Sequence, residues 1–129
     1  MVIDVNYKDN NNTCNTQKIG VCLRPYCLTF IQNLSKKFEL IAFTASIEEY
    51  ATKVLDFLDP NKDIFSHRLF RPQCVMFEKH YIKDLRVLNR PLEDVIIIDN
   101  IIYSFALQID NGIPILTWIN QSNDRELVK

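Results

Sequence analysis

Three short clusters in this chain carry side chains able to handle a phosphate group: Thr44-Ala45-Ser46, Lys83 and Asp99-Asn100. Two of them stand where an apolar run stops sharply. Phe38 to Phe43 ends in Thr44-Ala45-Ser46, and Val95 to Ile98 ends in Asp99-Asn100. In open α/β sheets, ligands collect at the carboxyl ends of strands. A hydroxyl beside free backbone N–H groups at the start of a helix suits an anion such as phosphate. A carboxylate next to an amide oxygen offers hard ligands of the kind magnesium takes. Lys83 can bring a positive charge to the same anion. Each piece has a plainer reading by itself. Thr44 and Ser46 can serve only as helix caps. Asp99-Asn100 can simply begin a turn. Lys83, and Arg71 ahead of Pro72, can be solvated surface charges. The ordered combination of hydroxyl, lysine and Asp-Asn, each near an expected strand end, says more than any member.

The elements that must position these residues follow from periodicity. Val2 to Tyr7 alternates apolar and polar residues, which predicts a strand. Lys8 to Gln17 is rich in Asn and Asp and predicts a loop. Lys18 to Leu23 predicts a returning strand and hence a hairpin. Arg24-Pro25 opens a helix, since proline fits the first turn. Leu28, Ile31 and Leu34 give it an apolar stripe. Phe38 to Phe43 predicts a strand, and Ser46 with Glu49 reads as a capping box for the next helix. That helix turns Tyr50, Val54 and Phe57 or Leu58 inward, and Pro60 stops it. Ile64 to Phe70 is expected to be extended, with Cys74 to Phe77 paired nearby. Lys83-Asp84-Leu85 predicts a turn into a short helix, which Pro91 breaks. Val95 to Ile98 is a β-branched run suited to a strand buried on both faces. Ile113 to Trp118 is a further strand, and Asn123 starts a last helix with Glu126 as its cap partner. Strands alternating with helices predict an α/β fold with a mostly parallel sheet.

Composition bounds the function. The 129 residues suit one domain. With 47% apolar and 24% charged residues, a folded globular domain is expected. Net charge is −1, so no electrostatic footprint favours direct nucleic-acid binding. No apolar stretch approaches the roughly 20 residues of a membrane helix. The cytoplasm or nucleus is the expected location. Two glycines, Gly20 and Gly112, leave no Gly-rich phosphate loop. Cys14, Cys22, Cys27 and Cys74 form no C-x-x-C pair, and His67 and His80 lie far from ligand spacing, so four reduced thiols are expected rather than zinc. Cys74 with His80 is a weak case for a thiol nucleophile.

The order of motifs resembles a known family. The series runs Arg24-Pro25, Phe43-Thr44-Ala45-Ser46 with Tyr50-Ala51, Arg68-Leu69-Phe70-Arg71, and Tyr81-Ile82-Lys83-Asp84-Leu85. It continues through Ile97-Ile98-Asp99-Asn100, Asp110-Asn111-Gly112-Ile113-Pro114 and Asp124 with Glu126-Leu127. From about Ile19 onward it is similar to the small C-terminal-domain phosphatases, the NLI-interacting-factor-like branch of the haloacid-dehalogenase superfamily. The resemblance implies a Rossmann-like core that hydrolyses phosphoserine or phosphothreonine in proteins with magnesium. A phosphoserine peptide such as the RNA polymerase II C-terminal tail is the implied partner. It implies that Thr44, Lys83 and Arg71 bind phosphate, that Ile47 lies along the substrate groove, and that Asp99 and Asn100 hold Mg2+.

The family's nucleophile and its general acid–base are the two aspartates of a D-x-D-x-T motif, which attack phosphorus and then activate water. That motif does not occur in this chain. Ile3-Asp4-Val5-Asn6 is only superficially like it, because Asn6 cannot act as the second acid and no threonine follows in place. Ile101-Ile102 also stands where the family carries Ser-Pro. The expectation is one domain over residues 1–129, truncated at both ends, lacking the first strand and beginning with an inserted β-hairpin. On this reading the phosphatase is inactive as this chain. The alternative is a catalytically dead phosphopeptide- or protein-binding module, like the import-receptor relatives of the family.

Overall fold

The computed structural model describes residues 1–129. It opens with an antiparallel hairpin of β1 (Val2–Lys8) and β2 (Cys14–Gly20), in register from Val2 opposite Gly20 to Lys8 opposite Cys14. Ile3 and Val5 turn inward and pack with Val21, Ile19, Leu23, Tyr50 and Val54. The connecting loop is shorter than the sequence suggests. Asp9 accepts hydrogen bonds from the N–H groups of Asn11 and Thr13, both at 2.9 Å, which closes a tight Asx-type turn. The return strand therefore starts at Cys14 rather than Lys18.

Helix α1 (Cys27–Leu34) starts two residues after Pro25, because Tyr26 is left-handed with φ 65° and ends the turn before it. Arg24 leaves that turn to meet the far end of the chain. Its Nε and Nη2 donate to the two oxygens of Asp124, each at 2.7 Å, and Nη1 donates to the carbonyl of Leu116 at 2.7 Å.

The central unit is β3 (Leu40–Phe43), α2 (Glu48–Leu58) and β4 (Phe65–Leu69), with β3 and β4 parallel. Helix α2 buries two faces. Tyr50 and Val54 press on the hairpin, while Ala51 and Leu55 join Phe70, Ala42, Leu58 and Phe65. The expected capping box does not form. The N-cap is Ile47 in extended conformation, and no side chain bonds there. Ser46 is instead held by its backbone, its N–H on Thr44 Oγ1 at 3.1 Å and its carbonyl accepting from Arg71 N–H at 3.1 Å. Glu48 and Glu49 still suit the positive end of the helix dipole. Beyond Leu58 the chain is turned by Asp59, whose side chain is wholly buried. Its carboxylate accepts from the N–H groups of Asp63, Ile64 and Phe65 at 3.0, 3.2 and 3.1 Å, and Arg68 lies 3.6 Å away. Burial pushes the Asp59 carboxyl up, but the three N–H donors and the Arg68 charge outweigh it and leave its pKa below the ordinary value.

β5 (Val75–Phe77) and β6 (His80–Ile82) form a second hairpin, turned by Glu78 and Lys79 at φ 45° and 71°. Such consecutive left-handed residues match the twist of the strands. β7 (Ile97–Asp99) and β8 (Gly112–Pro114) are parallel, joined by a 3₁₀ stretch from Ile102 to Asn111 that the apolar pattern does not announce. Both parallel pairs bracket helical crossovers, so the α/β reading holds. The parallel strands form two separate two-stranded ladders, β3 with β4 and β7 with β8.

Three expectations are corrected here. The β-branched run is not buried on both faces: Ile96 is 64% and Ile98 40% exposed. β7 pairs only with β8, so its other edge has no strand partner. The strand expected through Trp118 ends at Pro114, and its last ladder bond runs from the Ile115 N–H to the Asp99 carbonyl at 3.1 Å. The last helix shrinks to a 3₁₀ turn at Glu126–Val128, and Asp124 rather than Asn123 accepts from the Glu126 N–H. The accessible surface of 9087 Å² reflects these bare edges. A compact chain of this 15.2 kDa mass exposes about 7,100 Å².

One close approach fixes β8. Phe105 is 2% exposed, and its ring lies where a side chain at Gly112 would begin: a Cβ there meets Phe105 Cε2 at 2.0 Å. Gly112→Ala should therefore lower stability by about 1–3 kcal/mol through overpacking. The double substitution with Phe105→Leu should cost less than the sum of the two single changes. Denaturant melts of the four proteins check this coupling.

Candidate functional site

The carboxyl end of β3 runs into the loop Thr44–Ile47, and this loop is tied to the segment after β4. Thr44 N–H donates to the Leu69 carbonyl at 2.9 Å, extending the β3–β4 ladder by one step. Arg71 then closes on the loop from its own side. Its Nε donates to the Ala45 carbonyl at 2.7 Å, and its guanidinium carbon lies 4.9 Å from the centre of the Tyr81 ring. Thr44 and Arg71 are thus brought to one place.

The second half of the site comes from β6 and β7. Lys83 follows β6, and its Nζ lies 2.5 Å from Asp99 Oδ2, with both side chains largely buried. The Lys83 N–H is fixed to the Ser104 carbonyl at 2.7 Å. Asp99 Oδ1 accepts from the Ile101 N–H at 2.8 Å, and Asn100 Nδ2 donates to Thr117 Oγ1 at 3.1 Å. Breaking such a buried pair by removing one partner is costly, because the other is left without a counter-charge.

Cys74 lies between the two halves. Its Sγ is 3.9 Å from the Thr44 carbonyl. Burial raises its pKa, while the charges of Lys83 and Arg71 both pull it down and lose. The thiol is therefore not activated, and His80 is no partner to it, since His80 stacks on Tyr103 with ring centres 4.9 Å apart.

Ile47 is exposed at the N-cap of α2. It lines an open groove of about 360 Å³ with Val5, Tyr7 and Ile19 of the hairpin, Tyr50 of α2, and Arg71. A groove of about 430 Å³ lies beside Leu92, Ile96 and Asp110, at the amino end of β7 and away from Asp99. Of the two, the Ile47 groove is the one that lies at the carboxyl end of a strand, beside the loop that follows β3. The contributions of Cys74 and Tyr81 were missed. Tyr81 stands two residues before Lys83 on an extended strand, which would have placed both on one face.

Asp99 and Asn100 have hard oxygen donors of the right type for magnesium. Magnesium commonly takes one or two protein carboxylates and fills its remaining positions with water and phosphate oxygens. The pair fits that donor set as two of its members; three or more acidic, histidine or cysteine side chains do not gather anywhere in the chain.

Just after Lys83, Asp84 ties the 3₁₀ turn Leu85–Leu88 to the later one. It accepts from Arg86 Nε at 2.9 Å and from Gln108 Nε2 at 3.0 Å, while Gln108 Oε1 accepts from the Leu85 N–H at 2.9 Å. Hydrogen bonds from the Arg86 side chain, opposed by burial and joined by those from its backbone and from Gln108, bring the Asp84 carboxyl from 3.8 down to about 2. The unfolded chain therefore takes up this proton first as pH falls. The contribution of Asp84 is complete above pH ~4 and is lost as pH drops toward 2. Thermal melts followed from pH 6 to pH 2 should show a shallower acid limb in Asp84→Asn than in the parent chain.

Residues 2–129 match the family described as NLI interacting factor-like phosphatase. Among curated relatives, the chain is 48% identical over 114 residues to CTD small phosphatase-like protein 3 of Caenorhabditis elegans, covering 88% of this chain and 40% of that protein. It is 49% identical over 106 residues to CTD small phosphatase-like protein 2 of Dictyostelium discoideum, covering 82% and 18%. Phosphatase PSR1 of Saccharomyces cerevisiae is 41% identical over 110 residues, covering 85% and 26%. The chain thus spans less than half the length of these relatives. Among solved structures, that of Fcp1, an essential RNA polymerase II CTD phosphatase, superposes with a TM-score of 0.73 at 20% identity, covering 97% of this chain and 34% of that one. At that identity the likeness is one of fold.

Proposed function

We propose, because this chain belongs to the NLI interacting factor-like phosphatase family, that its residues form the phosphate-gripping and metal-binding part of a protein serine/threonine phosphatase site without the nucleophile. The observation that carries this reading is that Arg71 is tied to the Thr44–Ile47 loop through the Ala45 carbonyl and stacks on Tyr81, two residues ahead of the Lys83–Asp99 pair. The Thr44 hydroxyl and the Arg71 guanidinium take phosphate oxygens. Lys83 neutralises negative charge beside them. Ile47 faces the peptide along the groove against the hairpin. Asp99 and Asn100 hold magnesium, which when bound supplies further charge compensation at the phosphate. No D-x-D-x-T stands anywhere in the sequence, so no aspartyl-phosphate forms on these residues. The ligand class is a phosphoserine or phosphothreonine peptide. Relatives named CTD phosphatases support the RNA polymerase II tail as its type, with a nuclear or cytoplasmic setting.

A second reading, a phosphopeptide- or protein-binding module with no chemistry of its own, is favoured by one detail. Both Asp99 oxygens are already engaged, by Lys83 and by the Ile101 N–H. Two measurements separate these readings. This chain with magnesium and an aryl phosphate should show no turnover above background, and turnover abolished by Asp99→Ala would sink the claim that the nucleophile is absent. Phosphoserine-peptide binding strengthened by magnesium, with the gain lost in Asp99→Ala, supports the phosphatase half-site. Binding indifferent to magnesium supports the binding module.

A further inference from the structure

We propose that Tyr81 is a positioning residue for Arg71, holding its guanidinium beside the Thr44–Ile47 loop before any ligand arrives. This rests on the phosphate-site reading above and deepens it. A surface arginine carries about 2 kcal/mol of rotamer entropy, which a ligand must otherwise overcome. Arg71 is exposed, yet it is pinned at two points. Nε donates to the Ala45 carbonyl at 2.7 Å, and the guanidinium carbon lies 4.9 Å from the Tyr81 ring centre, within cation–π range. Its terminal nitrogens make no hydrogen bond within the protein, so they are free for an anion. The ring is itself fixed. Tyr81 sits in the β5–β6 ladder opposite Met76, and two residues on, the Lys83 N–H is bound to Ser104. Tyr81 of β6 thus holds Arg71 through its ring, while Lys83, just beyond that strand, is fixed by its backbone bond to Ser104.

The test is a titration of inorganic phosphate into this chain, followed by NMR. Tyr81→Leu should weaken phosphate binding about two- to five-fold, the range for an exposed cation–π contact, and Tyr81→Phe should restore it. In an Arg71→Ala background, Tyr81→Leu should cause no further loss, because Tyr81 acts only through Arg71. A loss of equal size in that background, or none in the parent chain, overturns the inference. The Arg71 Nε–H resonance gives a reading free of ligand. It should move away from its ring-shifted position in Tyr81→Leu and stay in Tyr81→Phe. An Nε–H signal indifferent to Tyr81→Leu overturns the positioning role. If that signal moves as expected but the parent chain binds no phosphate, the phosphate-site reading falls instead.

Discussion

Helix α2 must bury two faces at once, and the placement of the site depends on it. Tyr50 and Val54 seat the hairpin, while Ala51 and Leu55 seat the β3–β4 pair. Lys53 adds a polar tie by donating to the Asp4 carbonyl. With both sides fixed, the amino end of α2 can point only one way, and the Thr44–Ile47 loop that feeds it lies at the carboxyl edge of the sheet. The groove beside Ile47 exists because the hairpin and α2 meet there. A helix with a single apolar stripe would leave the hairpin without a seat, and the groove would lose one wall.

The electrostatic plan is built from pairs of unequal strength. Lys83 and Asp99 are sequestered together, 2.5 Å apart with both side chains largely buried. Arg71 is different, since its charge faces solvent and its partners are a carbonyl and an aromatic ring. One cation is therefore committed to an internal carboxylate and the other remains available.

Much of this was legible in the residues. The apolar run ahead of Thr44 does form β3, and the one ahead of Asp99 does deliver β7. What could not be read depended on contacts made across the fold. Ser46 looked like a cap because Glu49 follows at the right spacing, but Thr44 and Arg71 claim its backbone first. The isoleucines at 96 and 98 looked doubly buried because β-branched runs usually are, and only strand pairing reveals the bare edge of β7. The 3₁₀ stretch from Ile102 to Asn111 has kinks at Phe105 and Gln108, which break the helical periodicity that would have announced it. Asp59 turns the chain through three backbone N–H groups, a role that a lone acid beside Pro60 does not advertise.

The Arg24–Asp124 clamp joins residues 100 positions apart. Contacts of such long sequence separation require closing a large loop before they return any stabilisation, and chains dominated by them fold slowly. Arg24 lies just ahead of α1, and its three hydrogen bonds all reach residues beyond 115. During synthesis the hairpin and the β3–α2–β4 unit have all their local partners long before Asp124 emerges. The order of assembly is thereby biased: the wall that carries the Thr44–Ile47 loop can set first, and the Arg24 turn locks only after the β7–β8 pair has been delivered.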